Sequence, residues 1–261
     1  MKPLKITVLG SGTSQGIPVI GCPCSVCKSN DSKDKRLRSS ILFSWGEENF
    51  VIDTGPDFRQ QMLREDIRSL RAVLLTHEHK DHIAGLDDVR SFNFLEKRSM
   101  NVYCTDQVLK ALKREFYYVF ETDKYPGVPD LSVKTIDSSE FRLPNGPKVI
   151  PIQYFHYKMP VTGYRIGNFA YLTDIKSINN EERIKLEKLD YLILDCLRFK
   201  KHVSHFNLEE ALEFIDEIQA KNVFLTHISH LFDKHELIIK HLPSNVWPSY
   251  DGLQIDVGLA N

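Results

Sequence analysis

The chain has 261 residues, of which 42% are hydrophobic and 26% are charged, and its formal net charge is -1. This composition is ordinary for a globular protein with a sizeable core, and the length fits one domain spanning residues 1–261. The near-zero net charge argues against a dedicated nucleic-acid binder, and no stretch reaches the ~18 apolar residues of a membrane-spanning helix.

The amino-terminal segment 1–9 has an apolar part too short for a signal peptide, so we expect a cytoplasmic protein that does not enter a membrane. A first strand is predicted at 5–9. The glycine-rich loop 10–16 follows, and it lacks the spacing of known phosphate-binding loops. We interpret it as a tight turn that lines a pocket.

Alternating and continuous apolar runs predict the remaining elements of the first half. Strands are expected at 40–45, 49–53, 72–76 and 102–104, and helices at 57–65, 83–95 and 106–120. The segment 122–147 is richer in Pro and Gly, and its pattern predicts neither helix nor strand.

The second half alternates strands with helices. Strands are expected at 148–156, 161–166, 169–173, 191–195 and 223–226, and helices at 181–189 and 207–218. Polar residues recur where strands end, namely Asp53, His77, His156, Asp174, Asp195 and His227. In α/β proteins such residues gather at one edge of a sheet and form a site there.

The densest cluster of metal-binding side chains is the run His77-Glu78-His79-Lys80-Asp81-His82, directly after the apolar strand 72–75. In an extended segment His77 and His79 point to the same side. If a helix begins near Ile83, Asp81 and His82 turn towards the far side of the same cleft. The alternative is a polar turn in which Asp81 caps the helix and the histidines are solvated.

The cysteine content is odd in number and uneven in distribution. Three of the five cysteines lie at Cys22, Cys24 and Cys27. Crowding of this kind suits metal-binding thiolates in a reducing compartment better than a disulfide framework. Cys104 and Cys196 are isolated, and we expect them to be small buried apolar residues.

The order and spacing of these residues resemble the five motifs of the metallo-β-lactamase superfamily. The match runs through Asp53, the His77–His82 run, His156, Asp174 and His227, which spans most of the chain. The resemblance implies an α/β fold, the αββα four-layer sandwich, with two metals at one edge of the paired sheets.

Two groups within the superfamily resemble the chain more specifically. The cysteine segment, together with His227 and His230 near the end, looks like the PhnP-like phosphoribosyl 1,2-cyclic phosphate phosphodiesterases. The PqqB proteins are similar in the cysteine segment and at Asp57-x-Arg59-Gln60-Gln61. That group lacks the full histidine run, which favours the hydrolase interpretation.

By this resemblance the chain binds two catalytic divalent metals, Zn or Mn, through imidazole and carboxylate ligands. One metal would be held by His77, His79 and His156, the other by Asp81, His82 and His227, and Asp174 would bridge them. Asp53 would accept a hydrogen bond from a ligand imidazole and so orient it. Taken singly, a histidine or aspartate at a strand end is more often structural.

A second metal site of closed character is expected at Cys22, Cys24, Cys27 and His230. Three thiolates and one imidazole complete the shell of a structural Zn and leave no position for a substrate. Its role would be to fasten the amino-terminal loop to the segment that carries His227. The alternative is three free thiols on a loop, where they would be prone to oxidation.

The expected reaction is attack of a metal-bridging hydroxide on the phosphorus of a small cyclic phosphodiester. Asp81 and His205 are predicted to take part in catalysis, with His205 as the general acid. His202 is the other candidate for that role, although a surface position beside Lys200 and Lys201 is expected for it. His235 and His241 are expected to be solvated.

Three alternatives stay open on the sequence alone. They are a tRNA 3′-processing nuclease, a cyclic nucleotide phosphodiesterase, and a non-catalytic metal-binding protein related to PqqB. No Gly/Pro-rich arm for gripping tRNA is visible, and the balanced charge makes a small-molecule phosphodiester the expected partner. The substrate, the native metal and the oligomeric state, including a homodimer, are left undetermined.

Overall fold

The computed structural model describes residues 2–260 and arranges their strands in two seven-stranded sheets. The strands are β1 Lys2–Gly10, β2 Ser40–Trp45, β3 Glu48–Ile52, β4 Ala72–Leu74, β5 Met100–Cys104, β6 Leu131–Thr135, β7 Phe141–Arg142, β8 Lys148–His156, β9 Met159–Ile166, β10 Phe169–Leu172, β11 Tyr191–Asp195, β12 Asn222–Thr226, β13 Val246–Pro248 and β14 Gln254–Ala260. The helices are α1 Phe58–Arg64, α2 Lys80–Ile83, α3 Arg90–Glu96, α4 Asp106–Glu115, α5 Tyr117–Phe120, α6 Asn180–Ile184, α7 Leu208–Ile218 and α8 His235–Ile238. Short 3₁₀ turns lie at Ser32–Asp34, Leu86–Val89 and Ile239–His241.

Each sheet combines an antiparallel part with a parallel part. The first sheet has the order β14-β1-β2-β3-β4-β5-β6, and the second has the order β13-β12-β11-β10-β9-β8-β7. The steps from β3 to β6 and from β10 to β13 are parallel. The carboxyl ends of neighbouring parallel strands therefore meet at one edge of each sheet.

Three apolar clusters separate four layers. The central cluster fills the space between the sheets, with Phe43 and Phe50 from the first facing Tyr164 and Tyr171 from the second. A second cluster lies between the first sheet and helices α1, α3 and α4, and a third lies between the second sheet and α7. Helices outside and sheets inside make the αββα sandwich that the resemblance to the metallo-β-lactamase superfamily implied, which is confirmed.

Helix ends follow local chemistry. The side chain of Asn207 accepts a hydrogen bond from the Glu210 backbone N–H, and the Glu210 carboxylate accepts one from Asn207 N–H, so α7 begins with a capping box. Thr105 caps α4 in the same manner by accepting from Val108 N–H. These interactions satisfy backbone donors that the first helical turn leaves free.

The predicted helix 83–95 is wrong in its continuity. The chain forms α2, a 3₁₀ turn and α3, because Gly85 N–H donates to the carbonyl of Thr54 at 2.8 Å instead of continuing the helical ladder. The predicted helices 106–120 and 181–189 are also shortened or split. Strands β6, β7, β13 and β14 were not predicted, since they are short or pair only with distant segments.

Within residues 2–260, every helix is too short or too polar to cross a lipid bilayer.

Candidate metal centre and active site

The candidate site lies where strands of both sheets end. Asp53 follows β3, Asp174 follows β10 by two residues, and His227 follows β12. Their φ angles are 67°, 57° and 57°, in the left-handed region that non-glycine residues seldom occupy. Backbone strain of this kind concentrates at functional sites, because it aims a side chain where regular structure would not.

The histidine run contributes a short helix and its entry. Helix α2 begins at Lys80, three residues earlier than expected, with His79 as its N-cap residue and Asp81 in its first turn. Asp81 therefore does not cap the helix. Close backbone packing holds this segment, since a Cβ on Gly55 would lie 2.1 Å from the carbonyl oxygen of Asp81. His77 and His79 thus precede the helix, and Asp81 and His82 lie within it.

Asp53 is fully buried and accepts three hydrogen bonds. Its Oδ1 accepts from Thr76 N–H at 2.8 Å, and its Oδ2 accepts from Thr76 Oγ1 at 2.8 Å and from His82 Nδ1 at 2.7 Å. An ionised carboxylate only accepts, so Nδ1 of His82 carries the proton. The Nε2 atom of His82 then faces the cleft, where Oδ2 of Asp81 and Oδ2 of Asp174 lie 3.1 and 3.2 Å away.

Hydrogen-bond partners and short contacts identify the nitrogens that the other imidazole rings present to the cleft. Nδ1 of His156 lies 2.8 Å from the carbonyl oxygen of Ser204, which can only accept, so the free nitrogen is Nε2. Nε2 of His77 and Nδ1 of His79 lie 3.0 Å apart. Two ring nitrogens that converge in this way can share one cation between them.

Ligand atoms in the cleft gather into three neighbouring groups, each within 4.8 Å. The groups are His77, His79 and Asp174; Asp81, His82 and His227; and His156, Asp174 and His205. Asp174 belongs to two of the groups, and its Oδ2 lies 3.2 Å from His82 Nε2 and 3.3 Å from His227 Nδ1. The structure thus brings together all seven side chains that the resemblance implied as catalytic metal ligands.

Burial and neighbouring carboxylates shift the pKa values of the imidazoles in different directions. Burial lowers the pKa of His77 well below its ordinary value and lowers that of His227 to about 4. Burial acts in the same direction on His82, but the carboxylates of Asp81 and Asp174 overcome it and raise its pKa well above the ordinary range. His77 and His227 are therefore neutral with lone pairs available, and His82 holds the proton that a cation would displace.

His205 lies on the open side of this cluster and pairs with a residue whose role the sequence did not reveal. Its Nδ1 is 3.2 Å from Oδ2 of the fully buried Asp195, and its Nε2 is 3.9 Å from Oδ1 of Asp174. Burial lowers the pKa of His205, yet the Asp195 carboxylate outweighs it and raises the pKa to about 9. The only signal in the sequence was the position of Asp195 among the polar residues at strand ends.

His202 is half-buried beside His205, with ring centroids 5.2 Å apart. Its Nδ1 lies 3.2 Å from Oγ of Ser204, and within residues 2–260 no carboxylate forms a hydrogen bond or ion pair with the ring. Of the two candidates for proton transfer, His205 alone combines burial, a carboxylate partner and contact with Asp174. His202 is only half-buried, and its ring contacts Ser204 instead.

The cysteine segment lies against His230, which follows β12, as expected. Sγ of Cys22 and Sγ of Cys24 lie 3.3 and 3.5 Å from Nδ1 of His230, and Cys27 completes the group. Burial opposes ionisation of Cys24, but hydrogen bonds from Cys27 N–H and His230 lower its pKa to about 6. Thiolates are the metal-binding form, so this group also has the chemistry of a cation site. Cys104 and Cys196 are fully buried, as predicted.

His235 corrects an expectation. It is buried rather than solvated, because its N–H donates to Oδ1 of Asp34 at 2.7 Å and its Nδ1 lies 3.2 Å from the buried guanidinium of Arg36. These contacts join the segment after the cysteine loop to α8. His241 is exposed, in agreement with the sequence.

Comparisons with known proteins identify relatives that share this fold. A family model described as "Beta-lactamase superfamily domain" matches residues 48–228. A crystal structure described as a new diphosphatase from the PhnP family superposes with a TM-score of 0.92 at 38% identity, covering 99% of both chains. Zn²⁺-bound PqqB from Methylobacterium extorquens superposes with a TM-score of 0.79 at 20% identity, covering 97% of this chain and 99% of that one, which supports the fold alone.

One relative is named for a different activity. A protein of Porphyromonas gingivalis named octanoyltransferase is 40% identical over 253 residues, which make up 96% of this chain and 51% of that protein. The chain thus spans about half the length of that relative.

Proposed function

Because this chain belongs to the β-lactamase superfamily, and within it to the PhnP family, we propose that it is a metal-dependent phosphodiesterase acting on a small cyclic phosphodiester. A phosphoribosyl 1,2-cyclic phosphate-like compound is the proposed substrate type. One observation carries the proposal: seven histidine and aspartate side chains, from strand ends of both sheets and from the short helix α2 and its entry, converge on one cleft, with Asp174 shared between groups.

The donor set fits two divalent cations. We assign His77, His79 and His156 to one cation and Asp81, His82 and His227 to the other, with Asp174 between them. The buried Nε2 of His82 lies 3.1 and 3.2 Å from carboxylate oxygens of Asp81 and Asp174, and a cation would take the place of the proton between them. Zn or Mn held there would supply positive charge against the phosphoryl oxygens and lower the pKa of a water molecule.

The protein's own residues supply orientation and a proton. Asp53 fixes the tautomer of His82, and the carbonyl of Ser204 fixes that of His156. His205 holds a proton on Nε2, beside Asp174, and donates it to the departing alkoxide oxygen. Asp195 positions the His205 ring and keeps it protonated at neutral pH.

We assign the Cys22, Cys24, Cys27 and His230 group to a structural Zn. The backbone N–H of Cys27 donates to Sγ of Cys24 at 3.4 Å, which favours the Cys24 thiolate. Burial raises the pKa of Cys27 to about 11 although Val19 N–H donates to its Sγ, so a cation bound there would displace the Cys27 proton. All four residues lie outside the stretch 48–228 that matches the family model, so they form an addition to the common domain.

The names of two relatives point to activities other than phosphodiester hydrolysis. A diphosphatase cleaves a P–O–P bond, and the same cluster could neutralise the oxygens of either a diphosphate or a phosphodiester. Octanoyltransferase is the name of a protein about twice as long as the aligned region, so the name does not fix the activity of this half. Metals held by imidazoles and carboxylates would polarise a carbonyl as well as a phosphoryl oxygen, so the choice of phosphoryl hydrolysis is supported by the similarity to the PhnP-family structure over 99% of both chains.

A direct assay tests the proposal. The purified protein should hydrolyse bis-p-nitrophenyl phosphate, EDTA should abolish the activity, and Zn or Mn should restore it. The cyclic ribose phosphate, a diphosphate diester and an octanoyl thioester are compared as further substrates. Absence of phosphodiester hydrolysis after metal reconstitution, with the diphosphate or thioester cleaved instead, rejects the proposed substrate class.

A further inference from the structure

Lys176 joins the loop after β10 to the segment that carries His205. Its Nζ donates to the backbone carbonyl oxygen of His205 at 3.3 Å and to the two carboxylate oxygens of Glu210 at 2.7 and 2.9 Å. An ammonium group has three N–H donors, so these contacts use all of them. Because Lys176 follows Asp174 by two residues, one side chain links the shared aspartate of the candidate centre to the proposed proton donor.

The carboxylate of Glu210 is fixed by its own helix. Its Oε2 accepts from Asn207 N–H at 3.0 Å, as part of the capping box of α7. The same carboxylate therefore binds the first turn of α7 and the ammonium group of Lys176. The side chains of Lys176 and Glu210 are 23% and 24% exposed, so water screens their attraction only in part. A bidentate pair built into a helix cap is a firmer support than an isolated surface ion pair.

Backbone hydrogen bonds strengthen this contact. Lys176 N–H donates to the carbonyl oxygen of Phe155 in β8 at 2.8 Å, which anchors the main chain of the lysine. The N–H of Phe206 donates to the carbonyl oxygen of Ile175 at 3.0 Å. Both polar atoms of the peptide group between His205 and Phe206 are thus held by residues 175 and 176. A fixed peptide group limits the rotations that would swing the His205 side chain away from the cleft.

We propose that Lys176 is a positioning residue for the proton donor, and that with Glu210 it fixes the main chain of His205 so that Nε2 stays beside Asp174. The inference rests on the proposed function, in which His205 protonates the departing alkoxide. The bond from Nδ1 of His205 to Asp195 orients the ring, but the place of the ring also depends on where the main chain lies. A displacement of about 1 Å at a reacting group can cost about 100-fold in rate.

Lys176→Met tests this role with two diesters that differ in their leaving group. Methionine keeps an unbranched stem and removes the ammonium group. The cyclic ribose phosphate expels an alkoxide, which needs a proton, whereas bis-p-nitrophenyl phosphate expels p-nitrophenolate, a weak base that leaves without one. We expect kcat for the cyclic ester to fall about 10- to 100-fold, and kcat for bis-p-nitrophenyl phosphate to change less than about threefold, with KM and metal content unchanged. Lys176→Arg, which keeps a cation opposite Glu210, should recover most of the lost rate.

Lys185 offers a matched control. Its Nζ donates to the two carboxylate oxygens of Glu182 at 2.8 and 2.9 Å and to the carbonyl oxygen of Pro151 at 3.1 Å, and Glu182 also accepts from a backbone N–H. The side chains of Lys185 and Glu182 are 25% and 15% exposed, close to the values for Lys176 and Glu210. Lys185→Met should lower the Tm about as much as Lys176→Met does, and it should leave both kcat values unchanged.

The Nδ1 proton of His205 gives a measurement that needs no turnover. Its NMR resonance in the Zn-loaded protein is identified by its absence from His205→Ala. In Lys176→Met this proton should exchange with water about tenfold or more faster than in the intact protein, because a hydrogen bond from a charged group to the main chain of His205 is lost. In Lys185→Met the exchange rate should be unchanged.

Two results overturn the positioning role. One is a Lys176→Met protein in which kcat falls equally for both diesters or does not fall. The other is a His205 proton that exchanges in Lys176→Met at the rate of the intact protein. Failure of the proposed function is seen separately, as an intact metal-loaded protein that hydrolyses neither diester, and the exchange rate then decides by itself whether Lys176 positions His205.

Discussion

Replacing Asp53 by Asn tests how the protein prepares His82 for a cation. Oδ1 accepts from the fixed N–H of Thr76, and Oδ2 accepts from His82 Nδ1. The Asn amide has one acceptor atom and one donor atom, so it cannot accept the bonds from both Thr76 N–H and His82 Nδ1. If its oxygen serves Thr76, its NH₂ group faces Nδ1 of His82 and favours the tautomer with the proton on Nε2, which cannot bind a metal. If the amide is reversed, two donors face each other at Thr76.

The size of the expected loss in metal affinity follows from one buried hydrogen-bond donor that is left without an acceptor. Such a mismatch costs ~1–3 kcal/mol, which corresponds to about 5- to 150-fold in a dissociation constant. Loss of the group that orients a metal-binding imidazole weakens metal affinity by about 10- to 100-fold, in the same range. We therefore expect Asp53→Asn to weaken binding of the cation held by His82 by about 10- to 100-fold.

Metal content and isothermal titration of Zn into the stripped protein measure this effect. Asp34→Asn is the control, because Asp34 is a buried carboxylate that accepts from His235 N–H and belongs to no catalytic group. It should leave the affinity of the catalytic cations unchanged. A folded Asp53→Asn protein with unaltered affinity for both cations would refute the tautomer argument.

Four further outcomes follow from the site. His205→Ala should lower kcat by about 10²- to 10⁴-fold with the metal content unchanged, and parallel loss of both would make His205 a ligand instead. Asp195→Asn removes the carboxylate that raises the pKa of His205 to about 9, so the alkaline limb of kcat should move from near pH 9 towards the ordinary value of 6.5; an unmoved limb in pH–rate profiles contradicts this. Since the raised pKa of His82 keeps it protonated, metal binding must release that proton, and affinity measured by titration should increase with pH until His82 is neutral. Cys24→Ser should lower the Tm and the bound Zn by about one equivalent while kcat of the folded fraction is kept, and a fully stable variant with unchanged Zn argues against the structural site.

His205 and Asp195 show what the pattern of polar residues at strand ends can predict and what it cannot. The sequence singled out His205 and noted Asp195 only as a polar residue after a strand. The parallel pairing of β10, β11 and β12 brings Asp195 beside Asp174 and His227, and the loop back from β11 lays His205 over it. A pattern along the chain identifies strand ends, but it does not specify which ends become neighbours.

What the sequence by itself determined was local. The alternation and spacing within the His77–His82 run and the Cys22–Cys27 run depend on a few adjacent residues, so their chemistry could be predicted without knowing the fold. Tertiary structure decided what depends on contacts between distant segments. Gly85 ends a helix because Thr54 accepts its N–H, and His235 is buried because Asp34 accepts its backbone N–H. In both positions a hydrogen bond from a remote segment outweighs local preference, because a buried backbone donor must be satisfied wherever its acceptor lies.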